Sequence, residues 1–221
     1  MRKPSAFSNQ LSAATSAPHR GVGRQLSALT MAVLLCTAAL SCGPSVSVKP
    51  LRLGDPSLSP NARRFLADTE DAVAITGAWR DTTAVELARM REWRESLTHS
   101  TEAIGGDQKA KGAVAALRTF ADATVLLNEK KLILANAELE LARQKFVQIT
   151  AEIATQHDMA VYDLEKIRKR TDEVRKDFEE KRRDVEKQRR ATEELNTTWL
   201  RGYASYIKGG GNPGTFWLKV E

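Results

Sequence analysis

The chain has 221 residues, of which 42% are hydrophobic and 28% charged, and its formal net charge is +6. The basic excess lies at the amino end, where Arg2, Lys3, Arg20 and Arg24 stand and no acidic residue precedes Asp55. Without these four cations, 30 basic residues face 28 acidic ones. This balance argues against nucleic-acid binding, which requires a clustered basic face.

The segment before Cys42 has the parts of a secretory signal. An uncharged apolar run from Gln25 to Leu40 follows the basic residues, and the small residue Ser41 precedes the cysteine. Leu26 to Leu40 provides 15 residues, whereas a membrane span needs about 20. Residues 1–41 are therefore predicted to be a disordered signal peptide that is removed. An ordinary secreted protein and an uncleaved anchor are the other interpretations.

Residues 39–42 (Ala-Leu-Ser-Cys) resemble the lipobox of bacterial lipoproteins. The resemblance implies that cleavage falls before Cys42 and that its thiol carries fatty-acyl chains such as palmitate. The mature protein is then attached to a membrane through this lipid, which makes Cys42 the predicted lipidation site. Gly43, where retained lipoproteins tend to have Asp, implies the outer membrane, with the protein facing the periplasm.

Residues 42–59 are predicted to form an extended tether behind the lipidated cysteine. Pro44, Pro50, Pro56 and Pro60 stand in or next to it and exclude a helix. Fully extended, the tether would reach about 55 Å. Ser59 before Pro60 has the pattern of a helix start, because serine caps helices and proline suits their first position.

A first helix is predicted from about residue 60 to 98. Apolar residues recur along it at steps of three and four and define the face expected to pack inward. That face consists of Ala72, Ile75, Trp79, Met90, Trp93 and Leu97. Gly105 and Gly106 then indicate a turn.

A long helix is predicted from about residue 107 to 206. Its apolar stripe comprises Val114, Leu117, Ala121, Ala135, Leu139, Ala142, Phe146, Ile149, Ile153, Leu164, Ile167, Thr171, Val174, Phe178, Val185, Thr192, Leu195 and Trp199. The register of the stripe shifts by about four residues around Gln156–Asp158. Such a shift indicates either a stutter in a continuous coiled coil or a corner between two helices.

The stretch Asp163–Glu194 has 12 basic and 11 acidic residues among its 32. Acid-then-base pairs four residues apart, such as Asp177 with Lys181, stabilise a solvated helix. We expect this part to project from the hairpin or to pair with a second copy. Residues 209–221 form a glycine-rich break and an apolar tail, in which Phe216 and Trp217 are predicted to fold back or to join a partner's sheet edge.

The sequence lacks the patterns that carry catalysis. His99 and His157 are 58 residues apart and offer no metal-ligand spacing. No glycine-rich phosphate loop with its lysine is present. We therefore predict no enzyme activity, no catalytic residues, no cofactor and no metal.

Together these features predict an all-α protein: a long antiparallel helical hairpin or coiled coil over residues 60–208, after a disordered signal and a proline-rich tether. The predicted function is a lipid-anchored scaffold or adaptor of the cell envelope, whose coiled coil binds other envelope proteins or a second copy. A module that binds peptidoglycan or another envelope polymer, and an accessory subunit of a secretion or efflux complex, are the alternatives.

Overall fold

Over the residues that the structure describes, the fold consists of three helices of nearly equal length. The computed structural model describes residues 47–104 and 110–212, for 99–104 the backbone alone. In it, α1 spans Pro60–Ile104, α2 spans Lys111–Gln156 and α3 spans Leu164–Lys208. They have 45, 46 and 45 residues, which makes each about 68 Å long at the rise of an α-helix. No strand occurs in the described ranges, and the prediction of an all-α fold is confirmed.

Helix α2 lies in the middle, with α1 and α3 packed against it in antiparallel order. Leu66, near the start of α1, clusters with Ile153, near the end of α2. Arg94, late in α1, pairs with Asp122, early in α2. Helices α1 and α3 make almost no direct contact with each other. Both flanking helices therefore depend on α2 for their burial.

The corner between α2 and α3 divides what the sequence predicts as one helix over 107–206. Asp158 adopts a left-handed conformation with φ of 53°, and the N–H groups of Met159 and Ala160 both donate to the carbonyl oxygen of Ala154. Asp163 then caps α3, because its carboxylate accepts a hydrogen bond of 3.0 Å from the N–H of Lys166. The register shift is thus a corner, and the continuous-helix interpretation is wrong.

Helix α3 packs along α2, so the expectation that the charged stretch Asp163–Glu194 projects from the hairpin is wrong. The hydroxyl of Thr192 donates to the carbonyl oxygen of Ala123 on α2, at 3.3 Å. At the far end, the backbone of Gly202 lies against Ala113. The residues of the predicted stripe that α3 buries here are Ile167, Thr171, Val174 and Thr192.

The stripe predicted for α2 is largely confirmed, since Val114, Leu117, Ala121, Ala135, Leu139 and Ile153 are buried. This helix also buries residues outside the stripe, because it has a neighbour on each of two sides. These further buried residues include Ala123, Leu127, Leu141 and Ala151.

The end of the predicted tether is folded onto the helices. Leu58 is only 2% exposed and packs in the cluster that contains Leu66 and Ile153. The N–H of Lys49 donates to the Tyr162 hydroxyl at 3.1 Å. Prolines prevent a helix here, as predicted, but the apolar residues Leu51 and Leu58 between them still pack against the helices. The prediction of a free tether is therefore wrong for residues 49–59.

The predicted helix start is confirmed. The Ser59 hydroxyl oxygen accepts a hydrogen bond from the N–H of Ala62, at 3.2 Å, and α1 begins at Pro60. The other end of the helical region also agrees, because α3 ends at Lys208 and the glycine-rich break follows.

Candidate interaction surfaces

The face of α1 that packs on α2 is unusually polar in its middle. Thr69, Thr76 and Thr83 stand on it, and each hydroxyl donates to the carbonyl oxygen four residues earlier, at 2.8, 2.8 and 2.9 Å. Because these hydroxyls are satisfied within the helix, the threonines can pack against α2 without a partner there. The buried or half-buried residues of this inner face are Ala62, Leu66, Thr69, Val73, Thr76, Arg80, Thr83, Leu87, Met90 and Leu97.

Contacts near the two ends of α1 set its rotation. The Leu66 cluster fixes the first turns. Farther along, Arg91 pairs with Glu129 at 2.7 Å, and the rings of Trp93 and Phe120 meet edge to face at 6.1 Å between centroids. The middle of the helix must follow the rotation that these contacts impose.

This rotation turns part of the predicted inner face outward. Ile75 is 68% exposed and Trp79 is 54% exposed, and Ala72 is exposed as well. The prediction that these three residues pack inward is wrong, whereas Met90, Trp93 and Leu97 are partly buried as expected. The threonine-containing face took the place of the more apolar one because it continues the three-and-four spacing of Leu66 and Leu87.

An apolar stripe therefore runs along one exposed side of α1. It consists of Phe65, Ala72, Ile75 and Trp79, and we call it the α1 stripe; Phe65 is 61% exposed. Phe65, Ala72 and Trp79 are seven residues apart, so they share one edge of the helix. Single exposed hydrophobic residues are ordinary, but aligned ones mark a surface that can bind a partner.

The outer surface of α3 has a different character, because its charges pair within the helix. Arg189 donates two hydrogen bonds to Glu186, at 2.8 and 3.1 Å, and Arg190 lies 3.4 Å from the same carboxylate. The hydrogen bonds from Arg189 hold the pKa of the Glu186 carboxyl below its usual range. The predicted pair of Asp177 with Lys181 forms at 3.3 Å. This pattern is typical of a solvated helix face.

The third surface is the end of the bundle where the chain enters it. An open cavity of about 350 Å³ lies at this end, lined by Lys49, Pro50, Leu51, Arg52, Asp55, Ala154, Met159, Ala160 and Tyr162. Asp55 organises the turn before α1: its carboxylate accepts hydrogen bonds from the hydroxyl and the N–H of Ser57. Those two bonds lower the pKa of Asp55. Val161, at the tip of the α2–α3 corner, is 95% exposed.

Several predicted residues lie outside the described part of the structure. These are Cys42 with the whole signal, Gly105 and Gly106 of the first turn, and Phe216 and Trp217 of the tail. His157 is the C-cap residue that follows α2, and its N–H donates to the carbonyl oxygen of Ile153. Helix α1 includes residue 99, whose side chain is not described.

In the described ranges, no group of three or more His, Cys, Asp or Glu residues is arranged to hold a metal ion. No helix there is both long and apolar enough to cross a membrane.

Comparisons of the chain with protein-family models, with curated proteins and with solved structures find no match.

Proposed function

We propose that this chain is a non-enzymatic lipoprotein that acts as a coiled-coil scaffold or adaptor for other proteins of the cell envelope. Acylation of Cys42 attaches it to the outer membrane, facing the periplasm, and the α1 stripe binds the partner. The observation that carries the proposal is the exposure of Ile75 and Trp79 on a helix that already packs against α2 through another face.

The spacing of the α1 stripe suits recognition by a helical partner. Ala72, Ile75 and Trp79 stand at positions i, i+3 and i+7, which is the arrangement of anchors in helix-in-groove binding. Tryptophan is also enriched among the residues that contribute most to binding energy at protein interfaces. A partner that covers the stripe would bury apolar surface that the folded chain leaves in water.

The dimensions of the protein support a spacer role. Seven residue steps separate Cys42 from Lys49, at most about 25 Å when extended. Trp79 lies 19 residues after Pro60, or about 30 Å along α1. An upright bundle would therefore present Trp79 between about 30 and 55 Å from the membrane surface.

The anchor and the binding surface can be tested separately in cells. The Cys42→Ser variant should no longer incorporate labelled palmitate, because it lacks the thiol that is acylated. A photoreactive amino acid at position 79 should crosslink to an envelope protein or to a second copy. The same probe at Glu70, an exposed residue elsewhere on α1, is the matched control.

Incorporation of labelled palmitate by the Cys42→Ser protein would contradict the lipid anchor at Cys42. Equal crosslinking from positions 79 and 70, or none from either, would contradict the adaptor function of the α1 stripe. Crosslinks from position 79 to a second copy alone would identify the scaffold as a homo-oligomer.

A further inference from the structure

Two short segments form the end of the bundle at which the chain enters. One is residues 49–58, which precede α1, and the other is the corner 157–163 between α2 and α3. The hydrogen bond from Lys49 to the Tyr162 hydroxyl joins them. Leu51 and Met159 both pack against the cluster around Leu58, so the two segments share one apolar base. We call this the entry end.

The entry end exposes two apolar side chains. Val161 is 95% exposed and Leu53 is 40% exposed. The residues that follow Val161, in contrast, make contacts that hold the fold: the Tyr162 hydroxyl accepts a hydrogen bond from the N–H of Lys49, and Asp163 caps α3. A polar residue at position 161 would serve the corner equally well, because the valine side chain contacts almost nothing.

The distance to Cys42 suggests what covers these residues. The entry end begins at Lys49, within about 25 Å of chain from Cys42. The opposite end of the bundle lies a further 68 Å or so away, the length of one helix. If Cys42 is acylated, as proposed above, the entry end is the part of the bundle nearest to the lipid surface.

We propose that the entry end rests on the membrane, with Val161 and Leu53 inserted among the lipid headgroups. The inference depends on the proposed lipid anchor. It adds an orientation: the bundle stands on its entry end and directs the α1 stripe away from the bilayer.

The charges of the two segments indicate that the contact is apolar rather than electrostatic. The two segments contain two basic residues, Lys49 and Arg52, and three acidic ones, Asp55, Asp158 and Asp163. They therefore have no basic excess that would attract anionic lipids. Contact with the lipid surface should therefore change little between neutral and anionic vesicles and between low and high salt.

Two exposed apolar residues are too few to recruit a free protein to a membrane. The acyl anchor changes this, because it makes the contact intramolecular and gives the entry end a high effective concentration at the surface. The anchor supplies the attachment, and the entry end supplies the orientation.

The test uses the full acylated protein in liposomes of neutral phospholipid. Processing removes Cys36 and acylation occupies Cys42, so an introduced cysteine is the only free thiol. A nitroxide on Val161→Cys should show a shift toward collisions with oxygen, which concentrates in lipid, over those with a water-soluble nickel chelate. Ser205→Cys, exposed near the opposite end, is the control and should show no such shift.

The outcomes separate this inference from the proposed function. If the protein sediments with liposomes but the label at 161 remains as accessible to nickel as that at 205, the inference is wrong and the anchor stands. If the acylated protein does not sediment with liposomes, the proposed anchor is wrong and the inference falls with it. A label on Ala72→Cys that is also shielded by lipid would show a bundle lying flat, which contradicts contact through the entry end alone.

Discussion

Helices α1 and α3 have the same length and, among the helices, each packs chiefly against α2, yet their outer surfaces differ. Helix α3 keeps its outer side charged, with acid and base paired along the helix as in Glu186 and Arg189. Helix α1 leaves Ile75 and Trp79 in water and turns a face containing three threonines toward α2. A helix that only needed to pack on α2 would resemble α3. The comparison shows that α1 has apolar surface beyond what the fold uses.

The largest expected effect distinguishes the two faces of α1. Leu87→Lys places a charge at a position that is 5% exposed, and an uncompensated buried charge lowers the free energy of unfolding by roughly 3–5 kcal/mol. Ile75→Lys, on the α1 stripe, should change it by no more than about 0.5 kcal/mol. Urea unfolding followed by circular dichroism measures both. Equal losses from the two variants would show that the α1 stripe is part of the core.

The corner that creates α3 as a separate helix gives the second effect. Asp158 has a positive φ, and a β-branched residue is poorly tolerated in that conformation. Asp158→Val should therefore lower the free energy of unfolding by about 1–2 kcal/mol. Asp158→Gly should leave it unchanged or raise it, because glycine adopts this conformation freely. If both variants have the same stability, the chain does not turn at this residue.

The threonines of the two flanking helices offer a smaller contrast. Thr192 on α3 donates to the carbonyl oxygen of Ala123 across the interface as well as within its own helix. Thr192→Val should lower the free energy of unfolding by about 1 kcal/mol. Thr83→Val on α1 should change it less or even raise it, because the hydroxyl of Thr83 bonds within its own helix. A greater loss from Thr83→Val would contradict the local pairing of the α1 threonines.

The smallest effect concerns the turn that leads into α1. Hydrogen bonds from Ser57 lower the pKa of Asp55 in the folded protein below its ordinary value of 3.8. This carboxylate thus stabilises the fold above pH 3.8, and its contribution is lost as the pH falls through the lower folded pKa. The amide resonance of Ser57 should report that midpoint in an NMR titration. A midpoint at or above 3.8 would contradict the turn, and Asp55→Asn should abolish the transition.

The sequence predicts the features that hydrophobic periodicity and helix capping determine. It does not predict which of two possible helix faces is buried. The stripe from Val114 to Ile153 and the Ser59 cap follow from local pattern, and the structure agrees with both. The α2–α3 corner was harder to detect because no glycine or proline marks it. Its signals are the four-residue register shift and Asp163, a capping residue immediately before the apolar Leu164.

Hydrophobicity alone could not predict which face of α1 packs against α2. Two sets of residues recur at helical spacing, and the set with Ile75 and Trp79 is the more apolar. The long-range contact of Leu66 with Ile153 selects the other set in the first half of α1, and no local pattern encodes this contact. The exposed α1 stripe is thus a consequence of tertiary packing, which is why the candidate binding surface appears only in the structure.

The most direct test of the adaptor proposal is hydroxyl-radical footprinting of Trp79 in the purified acylated protein and in intact cells. Leu200 on α3 has almost the same exposed fraction, 53% against 54%, and serves as the control, each residue being compared with itself. The proposal predicts that Trp79 is oxidised in the purified protein and protected in cells, while Leu200 is oxidised to the same extent in both. Equal oxidation of Trp79 in the two samples would contradict a partner on the α1 stripe.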